Sequence, residues 1–257
     1  MIRFAKLHGN GNDFILIDEY DGEVIPDKPG FAATYCDRRF GIGADGVLFL
    51  TNSDCADIRM RLFQPDRSEA EMCGNGIRCL VRYAIDEGYI TGASAVETLA
   101  GIMEVDLDSE WIKVNMGTPA SGGIEHLEGY EVYSTNTGVP HAIIFVDDLE
   151  IAIDEIAPAI RYAPVFPKGA NVNFVRVEND HEITIRTYER GVEGETLSCG
   201  TGAVASAYIS HRIGKTGDRV VVHTAGGSLR ISLAADGEAF MEGTAVRVFD
   251  GTIDPAR

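Results

Sequence analysis

The chain repeats itself at close to half its own length, and this internal repeat constrains the fold more than any other sequence feature. Both copies contain a cysteine followed by Gly-x-Gly: Cys73 in SEAEMCGNG and Cys199 in GETLSCGTG, 126 positions apart in a chain of 257 residues. Three further segment pairs match at offsets within one residue of that value: 97–107 with 223–233, 61–64 with 186–189, and 8–17 with 135–144. Self-similarity at a fixed offset indicates a repeated structural unit, so we expect two similar units.

Short apolar runs bounded by Gly, Asn and Asp are typical of β-strands, and in this chain they outnumber the helical segments. Helical periodicity is clearest at 77–88, 149–162 and 203–214. Strands and helices do not alternate strictly, as a doubly wound parallel sheet would require. We therefore predict an α+β fold of two pseudo-symmetric lobes, each a largely antiparallel sheet around a central helix. The strand-like runs lie at 14–18, 47–50, 58–63, 141–146, 183–188 and 220–223.

The repeat also predicts where the two lobes begin and end. The N-terminal lobe covers 1–117, and a returning C-terminal strand at 245–257 completes it. The C-terminal lobe covers 118–244, so each lobe carries one repeated cysteine. The segment GTPASGG at 117–123, rich in Gly, Ser and Pro, is the candidate junction. We expect the active site in the cleft between the lobes.

Charge and cysteine content narrow the function classes. The chain has 22 Lys and Arg against 40 Asp and Glu, a formal net charge of −18, which disfavours nucleic acid and anionic membrane surfaces as partners. No uncharged apolar run approaches the roughly 20 residues that span a bilayer, and the first residues do not resemble a secretory signal. Five cysteines, an odd number, do not make a disulfide framework. We expect a cytoplasmic protein with a small-molecule partner.

The two repeated cysteines stand where a thiol can do chemistry. Each precedes Gly-x-Gly and a helical segment, so its sulfur lies beside the unpaired N–H groups and positive dipole of a helix start. Such a position lowers a thiol pKa from about 8.5 towards neutrality, and the same N–H groups suit a carboxylate. Cys36 and Cys55 are interpreted instead as small buried apolar residues, and Cys79 as a packing residue inside the helix.

Two sulfurs facing one bound carboxylate suit the inversion of a stereocentre. One thiolate removes the α-proton, and the other thiol returns a proton to the opposite face. A reversible disulfide between Cys73 and Cys199, in a thiol redox or ligand-binding protein, is the alternative from another class. The cysteine spacing does not fit a zinc site, and GIGADG at 41–46 lacks the strand before it and helix after it that a dinucleotide site needs.

Motifs spread over essentially the whole chain resemble the diaminopimelate epimerase family, within the cofactor-independent two-cysteine epimerases and racemases. The resemblance implies interconversion of LL- and meso-diaminopimelate in lysine biosynthesis, with no pyridoxal phosphate, metal or other cofactor. It implies a diaminopimelate substrate as the partner and allows a homodimer. The matching motifs are KLHGNGNDFILID (6–18), RRFGIGADGVL (38–48), SEAEMCGNGIRC (68–79), GVPHAIIFVDD (138–148), NVNFV (171–175), YERGVEGETLSCGTGAVA (188–205) and AVRVFDG (245–251).

The resemblance also assigns roles by position. Cys73 and Cys199 are the two acid/base thiols, and His141 with Glu189 adjusts their ionisation. The substrate-binding set comprises helix-start residues that hold the α-carboxylate and side chains that grip the ammonium groups and the distal end. Its members are Gly74, Asn75, Gly200 and Thr201 at the helix starts, and Asn12, Gln64, Asn171, Glu189 and Arg190 elsewhere.

Two positions depart from the family pattern. Gln64 and Val139 both stand where the family commonly has Asn. Gln64 keeps the amide with one more methylene, whereas Val139 loses a polar contact. A racemase or epimerase of another amino acid on the same scaffold therefore remains an alternative. Each assigned polar residue also has a structural interpretation: Glu189 and Arg190 as a surface ion pair, and His141 as a buried core histidine.

Overall fold

Strands make up most of the secondary structure. A computed structural model describes residues 1–108 and 110–254, and within them the chain forms 18 strands and four helices. The α+β class expected from the sequence is confirmed. The chain divides into two compact units: unit 1, Met1–Val114 with Gly243–Arg257, and unit 2, Asn115–Glu242. Residues 255–257 of the expected C-terminal strand lie outside the described residues.

Unit 1 is a largely antiparallel sheet in the order β18-β1-β2-β3-β4-β6-β7-β8, with β5 also beside β4. Its parallel pairs are β2–β3, joined through α1, and β4–β6, joined through α2. Its elements are β1 Ile2–Gly9, β2 Asn12–Glu19, α1 Lys28–Tyr35, β3 Gly46–Thr51, β4 Ile58–Phe63, β5 Glu69–Ala70, α2 Gly74–Asp86, β6 Ser94–Thr98, β7 Gly101–Asp108, β8 Trp111–Asn115 and β18 Val246–Ile253.

Unit 2 has the same strand order, β9-β10-β11-β12-β13-β15-β16-β17, with β14 beside β13. Its parallel pairs are β11–β12 and β13–β15, joined through α3 and α4. Its elements are β9 Ala120–Leu127, β10 Tyr130–Asn136, β11 Pro140–Phe145, α3 Ile153–Arg161, β12 Asn171–Asn179, β13 Glu182–Glu189, β14 Gly194–Thr196, α4 Gly200–Arg212, β15 Arg219–Thr224, β16 Gly227–Leu233 and β17 Ala239–Thr244.

The strand registers identify which residues of the two units are equivalent. In unit 1, Phe14 lies opposite Gly46 across a parallel pair, and in unit 2 His141 lies opposite Asn171 in the same way. One strand further on, the Leu48–Leu62 pair of unit 1 corresponds to Asn173–Thr187 of unit 2. The units therefore share topology and register, and they differ in the side chains at equivalent places.

A buried helix packs on one face of each sheet. In unit 1, α2 contacts β1, β2, β3, β4 and β18, and in unit 2, α4 contacts β10, β11, β12, β13, β15 and β16. The apolar core of unit 1 that includes Phe31 of α1 lies on the alternate side chains of β2, Ile15 and Ile17. With helices on both faces, the central strands read as continuous apolar runs such as FILI and VLFL.

Two local features differ from the sequence expectation, and a third agrees with it. The helix α1, at Lys28–Tyr35, was not predicted; Asp27 caps it through the Gly30 N–H. The candidate junction 117–123 runs into β9, because the strand pairs with β10 despite its glycines. GIGADG at 41–46 forms a turn that leads directly into β3. No helix among the described residues is both long and apolar enough to cross a bilayer.

Candidate active site

Cys73 occupies the position immediately before α2 and caps that helix with its sulfur. Its backbone is extended, with φ −142° and ψ 118°, and its Sγ accepts the Gly76 N–H at 3.4 Å. Gly74 begins the helix, whose first N–H groups have no partner within the helix and carry its positive dipole. The half-buried Cys73 side chain therefore lies beside N–H groups suited to a carboxylate.

Asn12 and Asn75 contact each other beside the Cys73 thiol. The Cys73 thiol donates to Asn12 Oδ1, with a sulfur–oxygen distance of 3.7 Å. Asn75 Nδ2 donates to the same oxygen at 3.2 Å, and Asn75 is 3 % exposed. Three of the residues that the resemblance assigns to substrate chemistry are thus in direct contact in unit 1.

A two-residue hairpin turn brings Asn12 to the start of α2. Asn10 and Gly11 have φ of 54° and 81° between β1 and β2. Asn-Gly is the preferred sequence of a type I′ hairpin turn, since both central residues need positive φ. A Cβ at Gly9 would lie 3.1 Å from the Asn75 backbone oxygen, so glycine permits the close approach of β1 to α2.

Gln64 lies in the exposed turn after β4, where its contacts are local. Its side-chain oxygen accepts from Ser68 Oγ at 3.1 Å, and its backbone N–H donates to the Ser68 carbonyl at 2.9 Å. The structure therefore places Gln64 in a turn that Ser68 closes. The contact between Gln64 and a substrate stays a prediction.

Cys199 occupies the equivalent place before α4 in unit 2, with different neighbours. Its backbone is again extended, with φ −119° and ψ 110°, but its side chain makes no capping bond to the helix start. Its sulfur lies 3.5 Å from Thr201 Oγ1, and Cys199 is 5 % exposed. Thr137 Oγ1 donates to the Thr201 carbonyl at 3.2 Å. The first turn of α4 also offers Gly200 and Thr201 N–H groups.

His141 is fully buried in unit 2 and neutral. Burial, reinforced by the Arg190 charge, lowers its pKa to about 3. Its Nδ1 lies 3.0 Å from Asn173 Nδ2, which also points at the Ala142 and Asn171 carbonyls at 3.3 and 3.4 Å. Those two carbonyls fix that nitrogen as a donor, so His141 Nδ1 accepts and the proton is on Nε2. A neutral His141 cannot lower a thiol pKa through positive charge.

Asn171, Glu189 and Arg190 are neighbours at one end of the β12–β13 pair. Asn171, 4 % exposed, accepts the Arg190 backbone N–H at 2.7 Å through Oδ1. The Arg190 Nη1 lies 3.4 Å from the Lys168 carbonyl, and both Glu189 and Arg190 are half-buried. A carboxylate and a guanidinium adjacent in sequence at a strand end suit the two charges of an amino-acid group.

The remaining cysteines have two different environments. Cys36 and Cys79 are buried, and burial raises the pKa of the Cys36 thiol to about 12 and that of Cys79 also well above its usual value. The expectation that Cys55 is buried was wrong. It is exposed in the loop between β3 and β4, where the Cys55 N–H donates to Ser53 Oγ. The structure records no disulfide among the described residues.

Sequence reasoning missed two polar residues of the hydrogen-bond network beside Cys73. Asp45, in the turn that reads GIGADG, accepts from Asn12 Nδ2 at 2.7 Å. Arg78 of α2 is fully buried and donates to Asn75 Oδ1 at 2.9 Å. The glycines around Asp45 were the available signal for the first, whereas nothing distinguished Arg78 from a surface position. In residues 1–108 and 110–254, no three His, Cys, Asp or Glu side chains form a candidate metal site.

Comparisons with known proteins cover nearly the whole chain. Residues 4–121 and 133–248 match the model of the family described as diaminopimelate epimerase. The diaminopimelate epimerase of Methanothrix thermoacetophila is 53 % identical over 270 residues, covering 98 % of this chain and 96 % of the relative. That of Desulfitobacterium hafniense is 40 % identical, covering 98 % of each.

Solved structures share the fold at low sequence identity. A phenazine biosynthesis protein of the PhzF family from Bacillus anthracis has a TM-score of 0.75 and 19 % identity, covering 97 % of this chain and 98 % of that one. A probable proline racemase from Agrobacterium radiobacter has a TM-score of 0.72 and 17 % identity, covering 99 % and 93 %. At these identities the likeness establishes the fold alone.

Proposed function

Because the chain belongs to the diaminopimelate epimerase family, we propose that it interconverts LL- and meso-diaminopimelate in lysine biosynthesis. The observation that carries the proposal is the repeated position before a helix: Cys73 and Cys199 each stand, in extended backbone, before a buried helix that begins Gly-x-Gly. A thiol and a carboxylate cradle at one position are what α-proton chemistry beside a carboxylate needs.

The reaction removes one proton from the α-carbon, returns another to its opposite face, and changes no oxidation state. One cysteine, as thiolate, takes the α-proton, and the C–H electron pair passes onto the substrate α-carboxylate. The other cysteine, as thiol, gives its proton to the opposite face of the α-carbon. The product has the inverted centre, and the two sulfurs have exchanged roles. This exchange makes the same pair of groups competent in both directions.

Stabilisation of the intermediate comes from the helix starts. Charge that develops on the α-carboxylate is met by the N–H groups of Gly74, Asn75, Gly200 and Thr201, which are fixed before the reaction begins. Preorganised donors cost no rearrangement when the charge appears, which is why they favour the transition state over the ground state. His141, which is neutral, would contribute as an N–H dipole from Nε2.

The distal end of the substrate carries a second amino-acid group. We assign its recognition to Asn171, Glu189 and Arg190, since an ammonium needs acceptors and a carboxylate needs a fork of donors. Gln64 is equivalent in register to Glu189. Leu62 and Thr187 occupy equivalent places in the two units, and Gln64 and Glu189 each lie two residues further along the chain. Gln64 and Asn12 would supply amides on the unit 1 side.

We further propose that units 1 and 2 are the two lobes of a duplicated fold, with boundaries near 117 and 245. The matching strand orders of the two units support this assignment. A homodimer is proposed for the assembly, which the mass in sedimentation or light scattering would test. The reducing cytoplasm is the proposed location, because chemistry that depends on two thiols requires both to be reduced.

The direct test is α-proton exchange in deuterated water with LL-diaminopimelate under reducing conditions. We expect deuterium at one α-carbon together with formation of the meso isomer. Epimerisation without solvent deuterium would contradict the two-base mechanism. Absence of exchange with any amino acid would favour the thiol redox or ligand-binding alternative.

Serine substitutions test the two thiols separately. Cys73→Ser and Cys199→Ser should each reduce kcat by at least about 100-fold, because a serine hydroxyl is a far weaker acid and base than a thiol at neutral pH. Cys55→Ser, at an exposed thiol in the β3–β4 loop, is the matched control and should keep wild-type kcat. Full epimerase activity in either of the first two variants would rule out the assignment.

Another amino acid as substrate is the second candidate, and Val139 is the observation that favours it. Val139 is equivalent in register to Asn12, so unit 2 has an apolar side chain where unit 1 has an amide. A panel of amino acids in the deuterium exchange assay separates the two candidates. Exchange faster with a mono-amino acid than with diaminopimelate would favour the second.

A further inference from the structure

Unit 1 contains a continuous run of side-chain hydrogen bonds that ends on a buried cation at one side and a carboxylate at the other. Arg78 Nη2 donates to Asn75 Oδ1 at 2.9 Å, and Asn75 Nδ2 donates to Asn12 Oδ1 at 3.2 Å. Asn12 Nδ2 then donates to Asp45 Oδ2 at 2.7 Å. We call these four residues the amide chain: Arg78, Asn75, Asn12 and Asp45.

The two ends of the amide chain fix the orientation of both amides. A guanidinium can only donate, so Arg78 requires the oxygen of Asn75 to face it. An ionised carboxylate can only accept, so Asp45 requires the nitrogen of Asn12 to face it. With both ends fixed, the middle bond can run only from Asn75 Nδ2 to Asn12 Oδ1. Neither amide can flip without placing two donors or two acceptors against each other.

The two end groups of the amide chain are held in different ways. Arg78 is fully buried, which lowers its pKa to about 10, still well above neutral. Asp45 is held by Arg38 Nη2 at 2.8 Å and by the Asp13 N–H at 3.1 Å. The carboxylate end is therefore anchored from two sides, although its side chain is 44 % exposed.

The sulfur of Cys73 contacts the amide chain at its central oxygen. Asn12 Oδ1, already bonded to Asn75, lies 3.7 Å from Cys73 Sγ as the acceptor of the thiol proton. The negative charge of a Cys73 thiolate would lie against the partial negative charge of this oxygen, whereas a Cys73 thiol can donate its hydrogen to it. The fixed oxygen of Asn12 thus opposes the effect of the helix start, which favours the thiolate.

Unit 2 has no counterpart of the amide chain at the equivalent positions. The strand registers and the repeat align its four members with residues that lack both amides and charges. The equivalents are Val204 for Arg78, Thr201 for Asn75, Val139 for Asn12 and Ala170 for Asp45. The two repeated cysteines therefore have chemically different neighbours.

We propose that the amide chain holds the Asn12 oxygen against Cys73, so that Cys73 is an S–H donor in the ligand-free enzyme. Asp45 and Arg78 are then positioning residues, which act on the sulfur through an amide and do not contact the substrate. The proposal rests on the proposed function only in treating Cys73 as an acid/base group. It assigns the proton of the resting enzyme to the unit 1 thiol.

The other charges near the amide chain form ion pairs of their own. Lys6 on β1 pairs with Asp13 on β2 at 2.6 Å, and Asp13 also binds Arg38 at 2.6 Å. On β4, Arg61 pairs with Glu69 at 2.7 Å. Asp13 thus shares Arg38 with Asp45 while its carboxylate makes no bond to Asn12, which makes it a charge-matched control.

Alkylation of Cys73 by iodoacetamide, measured against pH in the substrate-free full-length protein, tests the proposal. Tryptic cleavage after Arg67 and Arg78 isolates Cys73 from Cys79, so mass spectrometry reads each thiol separately. Wild-type Cys73 should show an alkylation midpoint at or above the ordinary thiol value of about 8.5. A midpoint well below 7 would overturn the proposal.

Two substitutions at Asp45 separate amide orientation from simple charge. Asp45→Ala removes one of the two bonds of the amide chain that fix Asn12 and leaves the bond from Asn75. The Asn12 oxygen is then held less firmly against the sulfur, so alkylation of Cys73 at pH 7 should rise about tenfold. Asp45→Asn loses the charge but keeps one acceptor oxygen for Asn12, and should stay within about twofold of wild type. Asp13→Asn should also stay within about twofold.

Equal rises in Cys73 alkylation at pH 7 in Asp45→Ala and Asp45→Asn would overturn the proposal, since the effect would then be electrostatic alone. So would an unchanged Asp45→Ala rate in protein whose circular dichroism matches wild type. The assay uses no substrate, so its result is separate from that of the deuterium exchange. A wild-type protein that fails to exchange any α-proton would contradict the proposed function, while the thiol measurement would stay valid.

Discussion

At the scale of single residues, the two units differ in the side chains that lie under the starts of α2 and α4. Under α2, a Cβ on Gly76 would touch Leu48 and Phe14, both apolar. Under α4, the equivalent places hold Asn173 and His141, joined by a 3.0 Å contact. Thr187 Oγ1 donates to Asn173 Oδ1 at 2.9 Å and extends this buried polar contact. Buried polar groups stabilise a fold only while their bonds are satisfied.

His141 makes the stability of the protein depend on pH. Its pKa is about 3 when folded and 6.5 as the reference value, so below pH 6.5 the unfolded chain binds a proton that the folded chain does not. The free energy of unfolding should therefore fall on acidification, by about 2 kcal/mol between pH 6.5 and 5. Urea unfolding at a series of pH values measures this slope.

A substitution identifies His141 as the origin of the slope. In His141→Asn, an amide oxygen can replace Nδ1 as acceptor from Asn173, and the slope between pH 6.5 and 5 should disappear. His126→Asn, at an exposed position of β9, should keep the wild-type slope. An unchanged slope in His141→Asn would show that another group is responsible.

At the scale of elements, each helix start is fixed by the close approach of glycine to a strand. A Cβ on Gly202 would overlap Asn173 Oδ1 of β12 and lie 3.3 Å from Cys199 Sγ. The α4 start can therefore reach the strand only with glycine at this position. The Cys199 sulfur lies beside the same glycine, so packing and chemistry share one residue.

We predict that Gly202→Ala destabilises the protein by about 1–3 kcal/mol, the usual cost of overpacking a filled site. It should also lower kcat more than it raises KM, because the sulfur of Cys199 shifts while the contacts to the distal end of the substrate remain. Gly217→Ala is the matched control, since a Cβ there meets its nearest atom at 3.7 Å, an ordinary contact. Chemical denaturation and steady-state kinetics measure both effects, and equal stability of the two variants would contradict the account.

At the scale of the whole molecule, the last described strand belongs to the first unit. β18 pairs with β1 along its length, from Ile2 opposite Ile253 to His8 opposite Val246. Its Arg247 also donates to Glu87 at 2.8 Å, beyond the end of α2. Unit 1 is therefore assembled from both ends of the chain, whereas unit 2 is continuous in sequence.

Deletion of residues 246–257 should affect the two units unequally. It removes one of the two strands that pair with β1, together with the contact of Arg247, so amide protection in 1–114 should be lost or greatly reduced. Protection in 115–242 should persist, because the pairings of β9 to β16 lie within that range. Hydrogen exchange resolved by peptide measures both, and equal loss in the two ranges would refute the prediction.

Local sequence determined the elements where periodicity and special residues agree. The strand runs at 14–18, 47–50 and 183–188 lie within strands, and the helical segments at 77–88 and 203–214 overlap α2 and α4. The short helix α1 was missed, because eight residues give little periodicity and its apolar face is set by contact with the sheet. Exposure of Cys55 was missed for the same reason, since burial in a loop has no local signature.

By itself, the sequence determined the internal repeat, the class of fold and the place of the two cysteines before helix starts. These follow from local patterns, because a strand, a helix or a cap depends on residues within a few positions. Only the tertiary structure decided which polar groups surround each sulfur. Cys73 meets Asn12, 61 positions away, and Asn12 meets Asp45, 33 positions away. Such contacts come from the packing of α2 against β1 and β2, which no local pattern encodes.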